Sequence, residues 1–389
     1  MCSGVTVSDL PAEKDFIRVF SEVFQLKNKP LLSGSEFDDC AALRLDSFAK
    51  NLSGESLTFS TDTVRESTDF PKGMTNWQKG WMSAAVNLSD LAAMGSKPIA
   101  FLFSAGLPKG FTLKDTEELA RGIQDCVSFF GAEVIGGDTE YSNELTITGT
   151  VIGLSDNKNL LLRKSAQPDD LLCVTGFSGS AGVSLSVLLN DLQNISNDSV
   201  SASFLKNLTE PFPRVFESMV LAKSGAVHAM IDTSDGLASS VYELSTLSGV
   251  FFEIDEQSLP FDPEALEVFS RHLKQSTAQN MTDEQIAAEA RALLVHEALY
   301  TGGDFELLFT IPSDKLSLVE ELFETFNSNG AARFEPLPSS GKTGRFPCKF
   351  TVIGKAIADK ENVIIKQTDS CSQRQPLLKI GYDSFKKYI

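Results

Sequence analysis

Aspartate is the residue this chain repeats where chemistry could occur. Three times an apolar run meets a small residue and then Asp-Thr: Phe59-Ser60-Thr61-Asp62-Thr63, Ile135-Gly136-Gly137-Asp138-Thr139 and Met230-Ile231-Asp232-Thr233-Ser234-Asp235-Gly236. A single Asp in such a place ordinarily caps the following turn or helix. Three of them read as carboxylates at the ends of buried strands, where ligands of open α/β sheets gather. Two further acidic positions stand out. Asp38 and Asp39 precede Cys40-Ala41-Ala42-Leu43, and Asp90 sits in the mostly apolar helical run Val86–Gly95, three residues after Asn87 and on the same face. No basic residue lies within four positions of Asp90. A carboxylate among small apolar residues is costly unless paired or metal-bound.

If these carboxylates converge, two of them ~6 Å apart repel by roughly 3 kcal/mol at an effective dielectric of about 20. Several together need cations. An all-oxygen donor set of Asp with Ser and Thr hydroxyls suits Mg²⁺ rather than zinc, and Mg²⁺ held this way usually serves a nucleotide phosphate. The three histidines, His228, His272 and His296, are too few for a histidine-rich metal site and argue against most Ser/His/Asp schemes. Common nucleotide signatures are missing. Ser339-Ser340-Gly341-Lys342-Thr343 imitates the end of a P-loop, but Pro336 stands where its first glycine belongs. Thr175–Gly182, a glycine-rich stretch, could cradle a phosphate at a helix N-terminus; a tight strand-to-helix connection explains it better.

The elements that must position these residues alternate in type. Leu57–Asp62 reads as a strand, Asn76–Met94 as a helix stopped by Gly95, and Pro98–Ala105 as a buried strand. Leu113–Phe130 is amphipathic and stops at Gly131; strands follow at Glu133–Gly137 and, with a period of two, at Leu145–Val151. The polar run Ser155–Asn159 is a plausible junction, which divides the chain into 1–157 and 158–389. In the second half, strands are expected at Leu171–Thr175, Ala229–Thr233, Phe305–Ile311 and Phe350–Ile357. Helices are expected from about Ala181 and over Gly236–Leu247. Asn190–Asn207 reads as a loop or insertion, and 262–295 and 325–349 as peripheral elaborations. The pattern is α/β (α+β) in two halves.

Composition closes off other classes. The chain has 389 residues, 42% hydrophobic and 22% charged, enough to bury one or two cores and unlike a disordered or fibrous chain. A formal charge of −18 opposes general attraction to nucleic acid or anionic membranes. Six cysteines lack any CxxC pair, so reduced thiols are expected. No apolar run is long enough to span a membrane, and MCSGVTVSDL lacks the charged and apolar regions of a signal peptide. A cytoplasmic enzyme is expected.

Taken in order, the motifs resemble a family. Asp38-Asp-Cys-Ala-Ala42, Ser60-Thr-Asp-Thr63, Ala85-Val-Asn-Leu-Ser-Asp-Leu-Ala-Ala-Met-Gly95, Gly136-Gly-Asp-Thr139, Ile231-Asp-Thr-Ser-Asp-Gly236 and Gly381-Tyr-Asp-Ser-Phe385 are similar to those of thiamine-monophosphate kinase. More broadly the chain resembles the superfamily of aminoimidazole ribonucleotide synthetase, selenophosphate synthetase and the hydrogenase maturation factor HypE. The resemblance implies a two-domain fold: 1–157 as an N-terminal ATP/Mg-binding and dimerisation domain, whose sheets pair across a homodimer in a barrel-like core, and 158–389 as a C-terminal α/β domain. It implies ATP-dependent phosphorylation of thiamine phosphate to thiamine diphosphate with several Mg²⁺ ions. Asp39, Ser60, Thr61, Asp62, Asp90, Asp138, Asp232 and Asp235 match the family's Mg²⁺ ligands, with Asp62, Asp90 and Asp138 as the catalytic set. Gly137, Arg163 and Ser234 match its ATP contacts, and Tyr382 matches an aromatic that contacts the substrate. The chain departs from the pattern at Gly34–Asp38, which has one glycine, and at Met82, where a lysine is common. Asp69 and Gly303 stand where the family has a substrate-contacting histidine and glutamate. Two other readings stay open: a paralogous kinase or synthetase acting on another small molecule, or a non-catalytic nucleotide-binding protein.

Overall fold

The computed structural model describes residues 31–33, 38–45, 54–189, 192, 200–276, 281–330, 348–358, 361–368 and 371–382. The run 339–343 and most of the approach at 34–37 lie outside them, as does 383–385. The first half runs β1 (Leu31–Ser33), β2 (Ala41–Arg44), β3 (Glu55–Arg65), α1 (Asn76–Ala93), β4 (Lys97–Leu107), α2 (Leu113–Phe129), β5 (Glu133–Tyr141) and β6 (Thr146–Asp156). Its strands form a sheet in the order β1-β2-β3-β6-β4-β5, antiparallel except for the β4–β5 pair that α2 connects.

One face of this sheet is covered and the other open. Along β6, Ile147, Gly149, Val151 and Gly153 are buried beneath α1, while Thr148, Thr150, Ile152 and Leu154 alternate with them on the open face. Helix α1 starts in a capping box of Thr75 and Gln78 and ends at Met94, with Gly95 at φ +65°. It crosses α2 with the backbones in contact. A Cβ on Gly80 would lie 2.1 Å from the Leu119 carbonyl oxygen, and one on Gly122 would lie 1.9 Å from that of Trp77. Only glycine permits that approach.

The second half runs β7 (Leu171–Thr175), α3 (Ser180–Leu188), α4 (Ala202–Thr209), α5 (Val215–Ser224), β8 (Ala229–Asp232), α6 (Leu237–Ser248), β9 (Phe251–Asp255), α7 (Pro263–Ser276), α8 (Asp283–Tyr300), β10 (Leu307–Ile311), α9 (Leu316–Gly330), β11 (Phe350–Ile357), β12 (Val363–Thr368) and β13 (Cys371–Pro376). Its seven strands are ordered β13-β12-β9-β11-β7-β10-β8. Helix α1 packs against both halves. Trp81, Leu88 and Leu91 share one apolar cluster with Phe212, Leu221, Met230 and Phe309, and Trp81 Nε1 donates to the Pro211 carbonyl at 2.7 Å. That cluster carries α1 against the edge strand β8, and so sets the distance between Asp90 and Asp232.

Several expectations need correction. Asp62 and Asp138 lie inside β3 and β5 rather than at strand ends, because both strands are longer than their apolar runs. Part of the expected loop 190–207 is α4, which Ser201 caps by accepting from the Phe204 amide and which buries Phe204. The stretch 262–295 is not peripheral. It forms α7 and most of α8, whose Leu294 and Val295 enter the core. Among the described cysteines, Cys40, Cys126, Cys173 and Cys348 are buried free thiols. No described helix is long and apolar enough to cross a membrane.

Candidate active site

Three elements deliver carboxylates to one point. Asp39 precedes β2, Asp90 lies in the last turns of α1, and Asp232 ends β8. One oxygen from each lies within 4.8 Å of the others. Asp39 and Asp232 are buried and Asp90 is half-buried. Hydroxyls line the cluster. Ser60 on β3 donates to Asp90, Ser89 donates to Asp232 at 2.6 Å, and Ser234 donates to the other Asp232 oxygen at 2.8 Å.

Arg163 is the cation at this site, and Asp39 holds it. Its Nε and one terminal nitrogen donate to the two Asp39 oxygens at 3.0 and 2.5 Å, and its backbone N–H donates to Asp38 at 2.7 Å. Burial opposes the guanidinium charge, but the Asp39 carboxylate outweighs it and keeps Arg163 protonated. That cation does not balance the cluster. Burial pushes the Asp90 carboxyl well above the ordinary carboxylate range, helped by the charges of Asp62, Asp232 and Asp39. Asp232 is pushed up to about 6 by burial and by Asp39. Burial and Asp90 likewise raise the neighbouring Cys40 thiol.

Asn87 explains how Asp62 is presented. Its side-chain carbonyl accepts from the Asp62 amide at 3.0 Å, and its amide nitrogen donates back to the Ser83 carbonyl at 3.0 Å. Gly149 makes room for this, since a Cβ there would lie 2.4 Å from the Asn87 amide nitrogen. Asp62 is exposed and near enough to raise Asp90. Thr61 turns the other way, donating to the Gly149 carbonyl at 2.7 Å beside Thr150.

Asp138 does not join the cluster within one chain. Its register runs Asp138–Ser104–Thr148–Thr63, on the open face, whereas Gly137 aligns with Phe103, Gly149 and Asp62 on the covered face. The cause is a bulge: Phe101 pairs with Val134 but Leu102 pairs with Gly136, so Ile135 is an extra residue that reverses the alternation. Asp235 is exposed at the start of α6, and its carbonyl accepts from the Tyr382 amide at 3.0 Å.

Asp69 closes a turn. One of its oxygens accepts from the Arg65 amide at 2.8 Å and the Thr68 hydroxyl at 2.6 Å, and the other accepts from the Tyr382 hydroxyl at 3.4 Å. Two of the three positions expected to contact substrate, Asp69 and Tyr382, therefore touch each other. Gly303 has φ +102°, which L side chains rarely adopt, and its amide donates to the Ser234 carbonyl at 2.8 Å. Met82, in place of a lysine, is buried core. The helix N-terminus after Thr175–Gly182 is no phosphate cradle, because the Asp304 carboxylate already accepts from the Gly179 and Ala181 amides at 2.6 and 2.9 Å. Sequence reasoning passed over Ser89. Its only signal was a second polar residue beside Asp90 in an otherwise apolar helix.

Residues 37–155 match the model of the AIR synthase related protein, N-terminal domain. The chain is 40% identical over 279 residues to a thiamine-monophosphate kinase of Methanospirillum hungatei, covering 72% of this chain and 81% of that one. It is 30% identical to one of Pyrococcus horikoshii over 96% of both chains. A solved structure described as AaThiL complexed with AMPPCP and TMP superposes with a TM-score of 0.69 at 21% identity, covering 98% of this chain and 100% of that one.

Proposed function

The chain belongs to the thiamine-monophosphate kinase family, and from that premise we propose that its three-carboxylate cluster is where Mg²⁺-ATP meets thiamine phosphate. The enzyme is an ATP-dependent kinase that converts thiamine phosphate to thiamine diphosphate. The observation that carries the site assignment is the trio Asp39, Asp90 and Asp232 with oxygens within 4.8 Å. At an effective dielectric of about 20, each ionised pair at that separation repels by about 3.5 kcal/mol. The donors are all oxygen, and the deficit is of positive charge, which fits Mg²⁺.

Asp39, Ser60, Asp62, Asp90 and Asp232 would hold Mg²⁺ here, with Asp235 at the margin, whereas the Thr61 side chain lies on the opposite face of β3. Metal bound there neutralises charge on the phosphates during transfer. The acceptor is already a phosphate oxyanion, so positioning replaces a strong general base. Ser234 stands beside Asp232 to contact ATP, and Arg163 fixes Asp39 while offering its remaining edge to the nucleotide; Gly137 lies on the covered face of β5. Asp69 does not present a bare charge to the acceptor, since three donors occupy it, one of them from Tyr382. It positions Tyr382 instead.

The open face of the first sheet, with Ile152 and Leu154 beside a threonine ladder, supports pairing of two copies, and Asp138 stands on that face. Division into domains 1–157 and 158–389 and a cytoplasmic location with reduced thiols complete the reading. The purified protein should form thiamine diphosphate from ATP, Mg²⁺ and thiamine phosphate. ATP hydrolysis without that product would refute the acceptor assignment.

A further inference from the structure

The connection between α4 and α5 reaches two of the elements that carry the carboxylate trio. Thr209, Glu210, Pro211, Phe212, Pro213 and Arg214 are all buried, and the two prolines fix φ at their positions, which stiffens the run. At one end it grips α1, which carries Asp90. Gln78 Nε2 donates to the Thr209 hydroxyl at 3.2 Å and to Glu210 Oε1 at 3.1 Å, and Trp81 Nε1 donates to the Pro211 carbonyl at 2.7 Å.

At the other end Arg214 grips Glu306. Its Nε and one terminal nitrogen donate to the two Glu306 oxygens at 2.6 and 2.5 Å, and its other terminal nitrogen lies 3.6 Å from Glu217. The Thr175 hydroxyl donates to the Glu306 carboxylate at 2.6 Å and accepts from the Leu307 amide at 2.9 Å. Gly176, at φ +57°, leaves the space, since a Cβ there would lie 2.1 Å from Glu306 Oε1. A two-point pair of this kind fixes geometry as well as charge.

The backbone of Glu306 faces Thr233. The Thr233 amide donates to the Glu306 carbonyl at 2.9 Å, and the Glu306 amide donates to the Thr233 hydroxyl at 3.1 Å. Asp232 is the last residue of β8, an edge strand of four residues whose ladder runs to β10. The end of a short edge strand is where a sheet opens first. The exchange between Glu306 and Thr233 pins the residue directly after Asp232. Partners behind a metal ligand matter in this way: losing one typically costs about 10–100-fold in metal affinity or activity.

We propose that Arg214, Glu306 and Thr233 are positioning residues of the kinase, which fix Asp232 against Asp90 and so hold the trio ready for metal. The inference rests on the kinase reading above and extends its site to residues that act through Asp232 rather than on the substrate.

Thr233→Val keeps the side-chain shape and removes the acceptor for the Glu306 amide, whereas Thr233→Ser keeps the hydroxyl. Arg214→Lys keeps a charge beside Glu306 without the planar fork. The variants are compared at a temperature where circular dichroism shows each one folded; should Arg214→Lys not fold, the contrast between Thr233→Val and Thr233→Ser carries the test. Titration with Mn²⁺ alone, the free ion read by electron paramagnetic resonance, needs no turnover. Thr233→Val and Arg214→Lys should each raise the Mn²⁺ Kd about 10-fold and lower kcat about 10-fold. KM for thiamine phosphate should stay within about twofold of the parent, and Thr233→Ser should match the parent within about twofold in all three quantities. A lowered Tm with unchanged Mn²⁺ Kd and kcat would make the network merely structural and overturn the proposal. A raised KM with unchanged kcat and Mn²⁺ Kd would mean direct contact with the acceptor, and would overturn it too. A parent that makes no thiamine diphosphate overturns the kinase reading, and the Mn²⁺ titration then decides the proposal by itself; a parent that binds no Mn²⁺ overturns the proposal.

Discussion

Replacing Asp232 by Asn should make the metal-free protein more stable and the enzyme inactive. The Asp232 carboxyl deprotonates at about 6 in the folded chain, raised from 3.8 by burial and by Asp39. Because its folded value is the higher one, its proton favours the folded state at low pH, and that advantage is lost as pH rises from about 4 through 6. By pH 8 the ionised carboxylate costs the folded protein about 3 kcal/mol relative to a neutral group. At pH 4 the corresponding difference is about 0.6 kcal/mol. Asn keeps the shape and can still accept from Ser89. Thermal unfolding in excess chelator should therefore show Asp232→Asn melting roughly 5 °C or more above the parent at pH 8, and within about 2 °C of it at pH 4. Added Mg²⁺ should raise the parent and not the variant. A variant less stable than the parent at pH 8 without metal would refute the argument that the empty cluster repels itself.

Three other outcomes follow from the geometry. Asp90→Asn, at the centre of the cluster, should lower kcat by at least about 100-fold, or about 2.7 kcal/mol of barrier, with an unchanged circular dichroism spectrum. Gly303→Glu should not restore tighter thiamine phosphate binding; the side chain at φ +102° should cost about 1–3 kcal/mol in urea unfolding, and an improved kcat/KM would contradict the strain argument. Gly122→Ala should destabilise by at least about 2 kcal/mol, because its methyl meets the Trp77 backbone at 1.9 Å and neither helix can retreat from the crossing.

The parts of the site that could be read in the sequence were those governed by local rules. Helix α1 was legible from its spacing and Gly95, and Asp90 from the cost of an unpaired charge in an apolar run. The β11 boundaries were legible from apolar pattern alone. Convergence of Asp39, Asp90 and Asp232 follows from Trp81 and Leu88 packing across to Phe212 and Met230, which no local pattern reports. The face on which Asp138 lies could not be read, because period-two alternation holds only until a bulge, and Ile135 carries no mark of being one. Arg163 was legible by resemblance, but its bidentate hold on Asp39 is a tertiary pairing across 124 residues.

The central claim is that the trio binds the metal that serves phosphoryl transfer. Crystals of the protein grown with Mn²⁺ and a non-hydrolysable ATP analogue, measured for anomalous scattering, test it directly. The account predicts an anomalous peak bounded by Asp39, Asp90 and Asp232, at roughly 2.0–2.3 Å from their oxygens, beside the nucleotide phosphates. Nucleotide bound with metal elsewhere, and no peak among those three carboxylates, would contradict it.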